Sequence, residues 1–152
     1  MAKPALSPHE RRIAQHLVQG STPKQIRDDL GVSQASINSS VSRLFRRLGL
    51  ANRTHLVAYC TTYRWVDTAK VWDGLAVAPP ELDSFELELL RLVAEGQTIE
   101  RAARTLQVAP DTAAHRLKGV REKIGARNLR HAVAAALLLD LIRPRLSARA
   151  AA

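Results

Sequence analysis

A single cysteine, Cys60, in 152 residues excludes an internal disulfide and any metal site built from several cysteines. Its place in an apolar helical pattern makes it a small packing residue. Long hydrophobic runs are missing too. The longest, HAVAAALLLDLI, is interrupted by Asp140 and is too short to span a bilayer. The stretch MAKPALSPHE has no apolar core of a signal peptide, so a cytoplasmic, nucleoid-associated location is expected. His9, His16, His55, His115 and His131 show no metal-ligand spacing and are read as surface or packing residues, His115 apart. No Gly-rich phosphate loop, Ser-His-Asp order or paired-carboxylate pattern stands out, so neither an enzyme nor a cofactor or metal is expected. Glu86 and Glu88 are assigned to capping and solvent exposure.

Acidic residues are also in short supply. Fourteen Asp and Glu face 23 Lys and Arg, for a net charge of +9 and a pI near 10.8. That balance favours an anionic partner, either nucleic acid or an acidic membrane surface. The basic residues are not gathered on one amphipathic face, which disfavours the membrane.

What the chain does contain is a repeat. At a constant offset of 76 and without a gap, Leu6 matches Leu82, Glu10 matches Glu86, Gly20 matches Gly96 and Thr22 matches Thr98. The register continues through Leu30 and Leu106, Val32 and Val108, Gly49 and Gly125, Asn52 and Asn128, His55 and His131, and Val57 and Val133. Two units are therefore expected, at 1–66 and 81–152, joined by a linker at 67–80.

Each unit is punctuated as four helices. Ser7-Pro8-His9-Glu10 is a capping-box pattern opening a helix that Gly20 can end. Thr22-Pro23-Lys24-Gln25 repeats the device for a short helix that stops at Gly31. Ser33 caps a third helix ending at Gly49, and Asn52 caps a fourth through THLVAYCTTYRWV. The matching expectations in the second unit are Asp83 to Gly96, Thr98 to Leu106, Pro110 to Gly125, and Asn128 to about Arg143, stopped by Pro144. The tight link Gly31-Val32-Ser33 between two helices makes a helix-turn-helix.

The third helix has two unlike faces. Ile37, Val41, Leu44 and Leu48 stack into one apolar stripe with Phe45 at its edge. The opposite face carries Ala35, Ser39, Ser42 and Arg46, flanked by Asn38 and Arg43. A helix entering the DNA major groove needs short hydrogen-bonding side chains, so that its backbone comes close to base edges. Asn38, Ser39 and Ser42 meet that need, and Arg43, Arg46 and Arg47 are placed for phosphates or guanine.

These residues resemble a known pattern. LSPHERRIAQHLVQGSTPKQIRDDLGVSQASINSSVSRLFRRLGLANRTHLV is similar to the LuxR or GerE type of DNA-binding domain. Leu6, Glu10, Gly20, Lys24, Ile26, Leu30, Val32, Ser33, Ile37, Leu48, Gly49 and Arg53 stand at that pattern's positions. Asn38 and Ser40 replace its usual Lys and His, and Arg27 replaces a small residue. The resemblance implies base contacts from Asn38, Ser39 and Ser42 and a phosphate contact from Lys24. Thr22 can add backbone N–H groups at a helix start, and Ser33 and Gln34 complete the expected DNA-binding set.

The second unit fits the pattern more loosely. Glu100 stands where Lys24 does in the first, and Ala109-Pro110 replaces Ser33-Gln34. Its groove-facing positions are Asp111, Ala114, His115, Lys118 and Glu122, of which His115 and Lys118 are expected to touch DNA. Residues 1–60 hold nine basic and three acidic side chains, and residues 82–152 hold twelve and eight. The first unit is therefore expected to be the stronger reader, because carboxylates aimed at phosphates are repelled.

The sequence thus predicts an all-α protein of two tandem four-helix LuxR-type helix-turn-helix domains. Its expected role is that of a bacterial, sequence-specific regulator of transcription that binds double-stranded DNA. The alternative is an adaptor whose second unit binds a protein such as RNA polymerase. AVAAALLLDLI is apolar nearly all round and must be covered. Two fourth helices could pair within one chain as a pseudo-dimer, or two chains could form a homodimer through Val133, Leu137, Leu138 and Leu141. The homodimer is favoured here, since AVAAALLLDLI is far more apolar than THLVAYCTTYRWV.

Overall fold

The computed structural model describes residues 6–76, 78 and 80–146. The outer ends of the expected units, 1–5 and 147–152, and Val77 and Pro79 of the expected linker lie outside the described residues. The described residues form α1 (Pro8–Gln19), α2 (Pro23–Leu30), α3 (Gln34–Leu48), α4 (Arg53–Thr62), α5 (Ser84–Ala94), α6 (Ile99–Thr105), α7 (Pro110–Ile124) and α8 (Leu129–Leu138). A 3-10 helix, Ala69–Trp72, lies between α4 and α5, and no strand occurs among the described residues.

Local chemistry sets most helix starts. Ser7 and Glu10, Thr22 and Gln25, and Asp83 and Glu86 each form a reciprocal capping box. Ser33, Asn52, Thr98 and Asn128 accept from the backbone N–H three residues on. Each such cap stabilises its helix by about 1 kcal/mol. α7 has no side-chain cap and relies on Pro110 in its first turn.

Two helix ends differ from expectation. α4 stops at Thr62 rather than continuing through Val66, and α8 stops at Leu138 rather than near Arg143. The cause is the same in both. Arg64 (φ 56°) and Asp140 (φ 58°) adopt the left-handed conformation, and the next residue's N–H bonds back to a helical carbonyl: Trp65 to Cys60 and Leu141 to Ala136, both at 2.9 Å. The reversal turns Trp65 and Ile142 into the core. Trp65 joins Tyr59 and Tyr63 in an aromatic group with centroids 5.6–5.9 Å apart.

The hydrophobic core is continuous across all eight helices. Its most extensive helix pair is α4 with α8, and α8 also packs on α1 while α4 packs on α5. Ala132 to Ala136 are buried, so the cover that the apolar last helix requires comes from α4, α1 and α7 of its own chain.

Two close approaches define this packing. Asn52 Nδ2 donates to the Gly96 carbonyl at 2.8 Å, and Asn128 Nδ2 donates to the Gly20 carbonyl at 3.2 Å. Both glycines have positive φ (Gly20 75°, Gly96 98°), and both lie against a histidine. A Cβ on Gly20 would sit 2.8 Å from His131 Cβ, and one on Gly96 would sit 2.8 Å from His55 Nδ1.

Residues 67–80 are more than a tether. Asp67 exchanges two backbone hydrogen bonds with the Gln15 side chain, both at 2.8 Å. Val71 is buried and accepts from His131 Nε2 at 2.6 Å, and Ala76 N donates to the Ile124 carbonyl. The expectation that Glu86 faces solvent is also corrected. Its carboxylate is only 3% exposed as a residue, and besides capping α5 it accepts from Lys123 Nζ at 3.1 Å.

Candidate nucleic-acid interface

α2 and α3 meet across Gly31-Val32-Ser33, and their packing decides what α3 shows to the outside. Ile26 from α2 and Ile37, Val41, Leu44 and Leu48 from α3 are buried. That leaves Ala35, Asn38, Ser39, Ser42, Arg43 and Arg46 exposed along the opposite side of α3. The face is polar, short near its start and cationic toward its end. Cations at that end also complement the helix dipole.

Asn38 is held in a network that the sequence did not reveal. Its Oδ1 accepts from Arg53 Nη2 at 2.7 Å and from Gln34 Nε2 at 2.9 Å, and Gln34 Oε1 accepts from Arg27 Nη1 at 3.0 Å. Both lone pairs of the Asn38 carbonyl are thereby used. No acceptor among the described residues meets its Nδ2, so in this state Asn38 offers donors. Bidentate pairing with adenine, which needs the carbonyl as well, requires Arg53 or Gln34 to let go. Arg27 and Arg53 thus belong to the site through hydrogen bonds that join α2, α3 and α4.

The other expected contacts divide into engaged and open groups. Ser33 and Thr22 are exposed, with their hydroxyls capping α3 and α2. Lys24 Nζ pairs with Asp28 at 2.7 Å on the exposed side of α2. Arg47 is drawn toward α1, donating to Glu10 Oε1 at 2.8 Å. Against the raising effect of burial, the Ser7 backbone N–H and Arg47 hold the Glu10 carboxyl below its ordinary pKa. Arg43 reaches Ser40 Oγ at 3.4 Å, whereas Arg46 meets no hydrogen-bond or ion-pair partner among the described residues.

His115 and Lys118 are exposed on α7, whose packing is mainly with α6, α8 and α5. Asp111, Glu122 and Glu100 are exposed as well. Ala113, Leu117, Val120 and Ile124 form the buried side of α7.

Of the residues expected at a dimer seam, Val133 is fully buried within the chain, and Leu137, Leu138 and Leu141 are half-buried against the core. Leu137 and Leu138 line a shallow cleft with Thr61, Ile142 and Pro144. His55 and His131 are buried packing residues, but His16 ties α1 to α2 through Ser21 Oγ (2.8 Å) and Asp29 Oδ2 (2.7 Å). Burial raises the Cys60 thiol to about 12, which keeps it protonated. No group of three metal-ligating side chains occurs among the described residues, and no helix there is long and apolar enough to cross a membrane.

Comparison with known proteins places residues 4–60 in a family. The model of GerE, bacterial regulatory proteins of the luxR family, matches residues 4–60. The spore germination protein GerE of Bacillus subtilis (strain 168) is 32% identical over 56 residues, which cover 37% of this chain and 76% of that protein. No solved structure gives a significant match. With α1 to α4 and the exposed polar face of α3 carried on the matching residues, the chain belongs to the luxR family of bacterial regulatory proteins.

Proposed function

We propose that the chain is a transcription regulator that binds double-stranded DNA sequence-specifically, with α3 as its principal reading helix. The observation that carries this reading is the exposed α3 face. Asn38, Ser39 and Ser42 offer short hydrogen-bonding groups, Arg43 and Arg46 follow along the helix, and no carboxylate stands on that face. Base edges call for the first set and phosphates for the second. Lys24 and the α2 start at Thr22 add backbone contacts in this reading.

Residues 81–152 are read as a second, divergent unit of the same helix plan, set against 1–66 as a pseudo-dimer. Support comes from reciprocity. In a two-fold interface, if residue i meets j, then the counterpart of j meets the counterpart of i. Asn52 on Gly96 and Asn128 on Gly20 obey that rule at the 76-residue offset, as do His55 beside Gly96 and His131 beside Gly20. In this reading one chain supplies both reading heads, and a second chain is not needed to cover α8. His115 and Lys118 would make the DNA contacts of α7.

A second reading makes the α7 surface a docking face for a protein such as RNA polymerase. It is favoured by the exposed carboxylates Asp111, Glu122 and Glu100, which suit a basic protein patch better than phosphates.

Binding-site selection from random duplexes, followed by stoichiometry on the selected site, tests the first reading. A defined motif for the wild type, changed in Asn38→Ala, Ser42→Ala, is expected. An identical motif for both proteins would overturn the assignment of α3. A second motif element lost in His115→Ala, Lys118→Ala would favour DNA over protein as the partner of α7.

A further inference from the structure

Arg130 is a cation with no hydrogen-bond or ion-pair partner among the described residues. It lies on α8, more than 75 residues along the chain from α3, yet it lines a narrow groove with Ser21, Pro23, Gln34, Ile37 and Arg53. Its Nε is buried and meets no hydrogen-bond acceptor. Its charged neighbour is another cation, Arg53, which is itself committed to the Asn38 carbonyl at 2.7 Å. Among the described residues no carboxylate forms an ion pair with either arginine.

A half-buried, like-charged pair opposes folding unless an anion joins it. Burial and then the Arg53 charge lower the Arg130 pKa from its ordinary value, as an uncompensated cation requires. Among the described residues no carboxylate supplies the missing anion. Gln34 and Arg53, which line the groove, both donate to Asn38 near the start of α3, so the anion that reaches the pair is the one accompanying whatever α3 reads.

We propose that Arg130 and Arg53 form a two-guanidinium clamp for a backbone phosphate of the DNA bound by α3. The inference rests on the reading of α3 as the DNA-facing helix. Guanidinium forks match phosphate oxygens bidentately, and one phosphate held between two forks neutralises the like-charged pair. The clamp also gives α8 a direct part in binding at the α3 face. When phosphate draws Arg53 away from Asn38, a lone pair of the Asn38 carbonyl is released for base contact. Phosphate anchoring and base reading are therefore linked through one side chain.

The test uses the full chain and its selected duplex, with fluorescence anisotropy across about 50 to 200 mM salt. Arg130→Met keeps the aliphatic stem and removes the charge. It is expected to weaken binding about ten-fold at the low-salt end and to reduce the slope of log K on log salt by about 0.9, the value for one phosphate. Over that range the salt-induced loss of affinity should shrink by about 3.5-fold. The selected motif should not change, and the Tm of the DNA-free protein should hold or rise. Arg130→Lys, which keeps charge but not the fork, should retain the wild-type slope with intermediate affinity.

An unchanged slope in Arg130→Met, with a lowered Tm in the free protein, would overturn the clamp and make Arg130 a packing residue. Should the methionine variant fail to fold, an unchanged wild-type affinity and motif in Arg130→Lys, together with no Tm gain from inorganic phosphate in the wild type, would overturn it as well. A wild-type protein that selects no motif would overturn the reading of α3 itself. That outcome is distinct, because either failure of the clamp alone leaves a wild type that still selects its site.

Discussion

Gly20 and Gly31 offer a matched pair of alanine substitutions that isolates one contact. Both glycines end a helix in the left-handed conformation, at φ 75° and 67°. Adding a Cβ to either costs about 1–2 kcal/mol of backbone strain. Their surroundings differ. A Cβ on Gly31 meets nothing within 4 Å, whereas one on Gly20 would lie 2.8 Å from His131 Cβ and 3.1 Å from Arg127 Cβ. His131 Cβ is fixed by the packed α8 and Arg127 Cβ by the turn before it, so neither can swing away, and overpacking of this kind costs about 1–3 kcal/mol. Gly20→Ala should therefore destabilise by about 2–5 kcal/mol and Gly31→Ala by about 1–2 kcal/mol. Urea unfolding followed by circular dichroism reads the difference, provided the slope on urea is the same for both variants. Equal losses would refute the reasoning, since they would mean that the α1 end does not meet α8 at this distance in solution. Gly96→Ala, where the Cβ would press on His55, should behave like Gly20→Ala.

His55 and His131 are both held below the ordinary imidazole pKa by burial; Glu95 opposes this at His55, and at His131 the Val71 carbonyl opposes it while Arg127 adds to it. The unfolded chain then takes up protons that the folded chain refuses, so stability should be intact above about pH 6.5 and fall as the pH drops toward the folded values. Ring-proton NMR titration checks this, and an ordinary midpoint for both rings would refute it. Arg46→Ala should reduce affinity and salt slope without altering the preferred sequence, while Asn38→Ala should alter it by about 1–3 kcal/mol of discrimination, measured on matched and mismatched duplexes. Sedimentation should find the wild type monomeric at micromolar concentration and bound one to one on its site; a dimer binding a palindrome would refute the pseudo-dimer.

The parts of the fold that depend on near neighbours were legible. Capping boxes at Ser7, Thr22 and Asp83 join residues three apart, so their pattern survives in the bare sequence. The ends of α4 and α8 were not legible, because Arg64 and Asp140 take a conformation that their residue types do not announce. The α3 face was readable from helical periodicity, which sorts Ile37 and Val41 from Asn38 and Ser42 without knowledge of their neighbours. What holds Asn38 was not. Arg27 comes from α2 and Arg53 from α4, and only the packing of three helices brings them to one amide. Arg47 shows the converse: periodicity placed it near the exposed polar face of α3, and its pairing with Glu10 across 37 positions draws it off.

Cover for α8 from within the same chain changes what the proposed reading asks of DNA. A homodimer presents two identical heads, and its symmetry is mirrored in a palindromic site whose occupancy depends on protomer concentration. A single chain is free of both constraints. In the proposed reading its two heads are held at fixed spacing by the Asn52, Asn128 and His131 contacts, and they are chemically unlike. α3 presents Asn38, Ser39 and Ser42 ahead of arginines, whereas α7 presents Ala114, His115 and Lys118 between Asp111 and Glu122. Within this reading the two half-sites need not match, and an unmatched pair gives the site a direction. Lys24 standing where the proposed second unit has Glu100 points the same way: in this reading phosphate neutralisation, and with it most of the salt dependence, belongs to the first unit. A polar site bound by one chain in one orientation is the arrangement that these unequal faces support.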